Sequence, residues 1–266
     1  MSMQMEARAV TGLTDLRMTT ALSLLDAACH RAAAEGWSYS HFLGYLLDGE
    51  LAERPRRTVE LNLQFARFPY LKRLAEFDYA VPPGVDRRLI EELATGRFLA
   101  EGRNIVLLGP PGVGKTHLAI SLGVLVAELG HRVYFTTAIE MARKLTQAMA
   151  ENRLSRELKN LTRPKLLVID EVGYLPLDQP QASLVFQVVS QRYERHSALI
   201  LTSNKAFSAW GEVFAGDAVM AAAALDRLLH RCTVINIRGD SYRLKEKRQA
   251  SQSVYGQPVV EVATRA

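Results

Sequence analysis

Residues 109–116 read Gly-Pro-Pro-Gly-Val-Gly-Lys-Thr, the spacing GxxxxGK[ST], and the residue types in it suit one task. Gly109, Gly112 and Gly114 let the backbone turn its N–H groups inward around phosphates, and a helix starting at the lysine adds the partial positive charge of its N-terminus. Lys115 is the candidate to hold the β- and γ-phosphates of ATP, and Thr116 the candidate to ligate Mg²⁺. The nucleotide-binding stretch is read as Gly109, Pro110, Pro111, Gly112, Val113, Gly114, Lys115, Thr116 and His117.

Further along, Leu166-Leu167-Val168-Ile169 ends in Asp170-Glu171, as a central strand does when it delivers carboxylates at its C-terminal edge. Asp170 is then a second candidate for holding Mg²⁺, commonly through water, and Glu171 the group that orients and polarises an attacking water. Leu199-Ile200-Leu201 runs into Thr202-Ser203-Asn204; Asn204 either hydrogen-bonds the γ-phosphate or water, or simply suits the turn before Lys205. Phosphoryl transfer also calls for positive charge around the transition state, often an arginine from a neighbouring subunit. Arg227 and Arg231 lie one turn apart on one helix face, Arg227 being the better candidate, and Arg243 is a candidate from within its own subunit. Surface arginines are the alternative reading for Arg227 and Arg243.

The elements that must position these groups follow from periodicity. Leu13–Ala34 reads as one long amphipathic helix closed by Gly36; a second starts at Ser40 and stops at Arg54-Pro55; a third covers Thr58–Ala66. Pro69 and then Pro82-Pro83-Gly84 break the pattern, which sets a boundary near 82–88: a helical domain over 1–86, an α/β domain over 87–249, and an aperiodic polar tail over 250–266, expected to be mobile. In the second part, helix and strand alternate. Strands are expected at 105–108, 132–136, 165–169, 198–202 and 233–237, with helices between them. That alternation means a doubly wound parallel sheet.

The 266 residues carry a formal net charge of +5, which favours polyanionic partners. Three stretches concentrate it: Arg54–Arg73 with six basic residues and one acid, Arg143–Lys165 with seven and two, and Arg238–Arg248 with five and two. Each alone is a solvated helix face; together, beside a nucleotide motif, they point to nucleic acid. Cys29 and Cys232 have no metal-ligand spacing, so a reducing cytoplasm is expected, and no apolar run suggests a membrane span.

Arg67-Phe68-Pro69 with Lys72 and Phe77-Asp78, Gly109–Ala119, Asp170-Glu171-Val172-Gly173-Tyr174, Thr202-Ser203-Asn204, Trp210–Phe214, Leu225–His230 and Ser241-Tyr242-Arg243 together resemble the IstB-type helper ATPases of bacterial transposons. These are AAA+ proteins, siblings of the DnaC loader and the DnaA initiator. The resemblance runs from about residue 10 to residue 249, and its specific part lies at 210–214 and 225–230. It implies a P-loop AAA+ fold, a Mg²⁺-dependent ATPase with Asn204 as a polar sensor, a homo-oligomer on duplex DNA, and a partner transposase that it recruits or activates. Arg231 stands where the family would have a second histidine, and the segment after Ile237 is short for the helical lid that would hold Arg243. The rival reading is a DnaC-like replicative helicase loader, which would prefer single strands; Phe65, Phe68, Tyr70 and Phe77 could stack bases or serve as core. A small-molecule kinase is disfavoured by Glu171 and Asn204.

Overall fold

The computed structural model describes residues 2–79, 85–239 and 241–242. It divides into two compact units, 1–62 and 63–266. In the first, α1 (Ser2–Asp15), α2 (Thr19–Glu35) and the first part of α3 (Tyr39–Ala66) surround a small core of Ala21, Ala28 and Leu46, with Leu24, Leu25 and Phe42 against it. The single helix expected over 13–34 is two. The chain closes α1 through N–H donation from Arg17 to Thr14 and from Met18 to Leu13, with Arg17 in the left-handed region at φ 56°. Glu50 of α3 then caps α2 by accepting the N–H groups of Thr20 (2.9 Å) and Ala21 (3.2 Å). Gly36 ends α2 in the left-handed conformation, as its sequence position implied.

The break expected at Pro55 is also absent: α3 continues through it to Ala66. A proline removes one ladder bond, and two interactions bridge the gap, the ion pair of Arg57 with Glu50 and the bond from Thr58 Oγ1 to the Arg54 carbonyl. Ser38 rather than Ser40 caps this helix, accepting from the N–H of His41.

The unit division falls inside α3, upstream of the proline-rich break used to set the boundary at 86. The physical reason lies in the next twenty residues, whose Leu63, Phe68, Leu74, Phe77 and Tyr79 pack on the core of the second unit. That unit is a five-stranded sheet in the order β2-β3-β4-β1-β5, every pair parallel. The strands are β1 (Asn104–Leu108), β2 (Val133–Thr137), β3 (Leu166–Val172), β4 (Ala198–Ser203) and β5 (Cys232–Asn236). Side chains alternate across it: Ile105 and Leu107 enter one core, Val106 the other. The first core is covered by α4 (Arg87–Ala94), α5 (Arg97–Ala100) and α6 (Lys115–Glu128). The second is covered by α7 (Ala138–Ala150), α8 (Leu154–Thr162), α9 (Gln179–Glu194), α10 (Trp210–Val213) and α11 (Ala218–Leu229). Burial on both faces explains why the strands read as continuous apolar runs. Helix α8 lies within the second basic stretch; its Leu158 and Leu161 are buried while its basic residues stay exposed.

The free edge of the sheet, along β2, is clasped by the end of α3. Phe65 meets Tyr134 edge-on at 6.1 Å on one face, and Phe68 meets Phe135 at 6.0 Å on the other. Between them Arg67 adopts φ 58°, the left-handed turn that carries the chain round the edge.

Candidate nucleotide site

The glycine loop joins the end of β1 to the start of α6. Its three glycines all have positive φ: 154° at Gly109, 84° at Gly112 and 95° at Gly114. Side chains are excluded there on contact grounds as well. A Cβ at Gly109 would meet the Ile237 carbonyl oxygen at 2.3 Å, and one at Gly112 would meet Ser241 Oγ at 2.1 Å. Val113 is buried beneath the loop, and the Lys115 ammonium donates to the carbonyls of Gly109 and Pro110, both at 2.7 Å.

Asp170 comes from β3 and is 5% exposed. Thr116 Oγ1 donates to its two oxygens at 3.0 and 3.1 Å, which ties the loop to the acidic strand. Thr202 of β4 donates a short bond to the same carboxylate and accepts the N–H of Glu171 at 3.0 Å. A hydroxyl that serves both acids was not singled out from the sequence. Its sequence signal is partial: an apolar strand ending in Thr202-Ser203-Asn204 is visible, but the strand order, with β4 between β1 and β3, is what puts those residues between loop and acids.

Glu171 sits where the β3–β4 register shifts, with φ 60°. The bulge interrupts strict alternation, so that Ile169 and Val172, three residues apart, both enter the second core, and Glu171 is left exposed beside the buried Asp170. A non-glycine residue in this conformation costs on the order of 1–3 kcal/mol and is retained where the surroundings fix it. Here the Thr202 bond and the turn from Tyr174 N–H to the Glu171 carbonyl do so. Asn204 is exposed, immediately after β4, where the Gly109 N–H donates to the carbonyl of Ser203. Lys115, Thr116, Asp170, Glu171 and Asn204 are thus gathered at the C-terminal edge of the strands.

His117 follows the loop, but its ring faces the segment before it. It packs edge-on to Phe77 at 5.3 Å and hydrogen-bonds the Arg73 backbone, and burial holds the imidazole below its ordinary pKa. With Tyr70, Lys72, Phe77, Lys115 and Tyr242 it lines a cleft of about 360 Å³. Tyr242 closes one side, its N–H on the Gly112 carbonyl and its hydroxyl on the Asp78 carbonyl. Phe77 is core and Phe68 packs on it, whereas Phe65 and Tyr70 remain exposed.

Arg227 is elsewhere. It lies on the last turn of α11, with its guanidinium 4.9 Å from the ring centre of Phe186, beside a cavity of about 240 Å³ shared with Tyr193, His230 and Arg231. The Arg231 carbonyl accepts from Asn104, the first residue of β1. Arg227 therefore stands where the strands begin, and the phosphate loop where they end, roughly 13 Å of strand away at about 3.3 Å per residue. Arg243, most of the third basic stretch and the tail over 250–266 lie outside the described residues.

A parallel sheet in this order, with a glycine nest after its first strand and paired acids two strands away, defines a P-loop domain of the AAA+ class. A family model described as IstB-like ATP binding protein matches residues 11–250. The chain is 47% identical over 238 residues to the insertion sequence IS21 putative ATP-binding protein of Pseudomonas aeruginosa, covering 90% of this chain and 89% of that one. It is 46% identical over 217 residues to the IS5376 counterpart of Geobacillus stearothermophilus, covering 82% and 86%. In structure it resembles the DnaC helicase loader with a TM-score of 0.53 and 22% identity, over 62% of this chain and 96% of the loader chain. The protein belongs to the IstB-like ATP-binding family. No helix among the described residues is long and apolar enough to cross a membrane.

Proposed function

We propose that the protein is an ATPase that assembles on duplex DNA when ATP is bound, serves a partner transposase, and is reset by hydrolysis. The observation that carries the catalytic part is the hydrogen-bond chain from Thr116 through Asp170 and Thr202 to the Glu171 N–H. It fixes the phosphate loop, the buried acid and the exposed acid in one frame.

In this reading the glycine nest and the start of α6 bind the β- and γ-phosphates, and the Lys115 ammonium moves from two loop carbonyls onto them. The Thr116 hydroxyl and the Asp170 carboxylate are hard oxygen donors already 3.0 Å apart, the chemistry Mg²⁺ selects, and they would hold it. When bound, that ion neutralises charge on the phosphates. Glu171 accepts a hydrogen bond from water and aims it at the γ-phosphate, and Asn204 steadies water or phosphate from the end of β4. Arg227 completes the site of a neighbouring subunit, since it stands at the other end of its own sheet. DNA, oligomer and transposase rest on kinship with the insertion-sequence proteins and on the basic surface. The helicase-loader reading keeps only the likeness of fold.

Two variants test the chemistry. Glu171→Gln keeps size and polarity but loses the carboxylate charge that polarises water, so ATP affinity should be retained while turnover falls about 10²- to 10⁴-fold. Lys115→Ala should lose ATP affinity itself. Equal loss of affinity in both, measured by fluorescent-nucleotide titration, would remove the separate roles. Assembly of the Glu171→Gln protein on single-stranded but not duplex DNA would favour the loader.

A further inference from the structure

We infer that the clasp over the edge of β2 is a docking point for the phosphodiester backbone, built from Arg67, Arg132 and the start of α7. The inference rests on the DNA-binding reading and gives it a location.

In sequence the first two basic stretches are separated by residues 74–142, which include the whole phosphate loop. The fold brings them together. The Arg67 guanidinium lies 5.6 Å from the ring centre of Tyr134, and the Arg132 guanidinium 5.5 Å from that of Phe65. Those two rings are themselves in contact, so the two cations flank one aromatic pair. Arg132 belongs to neither stretch and gains meaning only from this placement. On the same face of β2, Lys144 bonds to both Tyr134 and Glu140; Glu140 is held below the ordinary carboxylate range by Lys144 first, and then by Arg143 and Arg67. Three cations thus act on a single carboxylate, with Arg132 on the neighbouring ring.

No ion pair joins Arg67, Arg132 or Arg143 to an acid among the described residues, and all three are exposed. Several members of the stretches are instead held by acids. Arg57 is held by Glu50, Arg56 by Glu60, Arg73 by Glu128 and Arg153 by Glu151. Guanidinium groups laid on rings are positioned yet keep their outward N–H donors for phosphate oxygens. The partner is the backbone rather than base edges, because no helix here projects a reading face and the cations straddle a strand edge.

The test uses the full chain with ATP present, two duplexes of unrelated sequence, and a salt titration. The Arg67→Gln, Arg132→Gln double variant should bind ATP as wild type does. It should lose affinity for both duplexes alike, with the salt slope lowered by about 2, one for each contact. Arg132→Gln alone should lower it by about 1, which preserves the test if Gln at the left-handed position 67 disturbs the fold. The Lys versions of both should keep most of the affinity. Removing the same charge at Arg88 and Arg97, exposed on α4 and α5, should leave the slope unchanged. A wild-type slope in the double variant, or an equal fall in the α4/α5 control, would overturn this location. Intact duplex binding with loss of transposase association would overturn it too, assigning the patch to an acidic protein surface. Wild-type protein that binds no duplex at all would defeat the DNA-binding reading itself.

Discussion

Arg192 is fully buried in α9, and its guanidinium donates to the carbonyls of Leu161, Pro164, Lys165 and Ala198. Burial pulls its pKa down to about 9, so it remains charged at neutral pH, solvated by the ends of α8, β3 and β4. Arg192→Leu would fill the space but strand several carbonyls at about 1–3 kcal/mol each, so a loss of 3 kcal/mol or more is expected in denaturant unfolding. Arg192→Lys should recover little, because three rotating donors cannot span four carbonyls set by a planar fork. A loss under 1 kcal/mol in the leucine variant would mean that water replaces the guanidinium. Nothing in the sequence distinguishes Arg192 from the exposed Arg195 three positions on. Lys115, Asp170 and Glu171 are legible by contrast, since their spacing from a glycine loop or a strand end is a local property. Thr202 falls between these cases: the strand is visible, but which of its last three polar residues reaches the acids depends on the neighbouring strands.

At the scale of elements, the strands and the helices of the second unit lie close to where periodicity puts them, and the misses concentrate in α1–α3. There the deciding contacts are non-local. Glu50 supplies from α3 the cap that α2 lacks in its own sequence, and with Arg57 it carries the helix through Pro55. Burial opposes the Glu50 charge, but the N–H groups of Ala21 and Thr20 and the Arg57 guanidinium outweigh it, and its pKa lies below 4.5. The sign follows from that direction: the carboxylate stabilises the fold above about 4.5, and the contribution disappears as pH falls through the lower folded value. Glu50→Gln should therefore melt below wild type at pH 7, with the gap in Tm narrowing as pH drops below 4.5. A gap that is constant from pH 7 to about 3 would make the effect one of shape rather than charge.

For the molecule as a whole, the arrangement that matters is the separation of Arg227 from Lys115 along the strands. Fingers contribute on the order of 10³ to 10⁵ in rate, so Arg227→Ala should bind ATP and scarcely hydrolyse it. Lys115→Ala subunits keep their arginine, and Arg227→Ala subunits keep their phosphate loop. Mixed, the two inactive proteins should regain part of the hydrolysis that neither shows alone. No recovery in demonstrably mixed oligomers would place Arg227 outside the chemistry. His230 and Arg231, which share its cavity, offer the same comparison one residue at a time.

Under the proposed trans role of Arg227, each subunit accepts at one end of its sheet and donates at the other, which is a head-to-tail contact, and such a contact either closes on itself or continues. An open row is then always one complete site short of its number of subunits, because the last nucleotide has no donor, while a closed ring wastes none. Turnover per subunit would climb with the length of the row, steeply for the first few additions and flatly afterwards. The subunit without a donor would hold its ATP longest, so that end of the assembly would be the part most slowly reset.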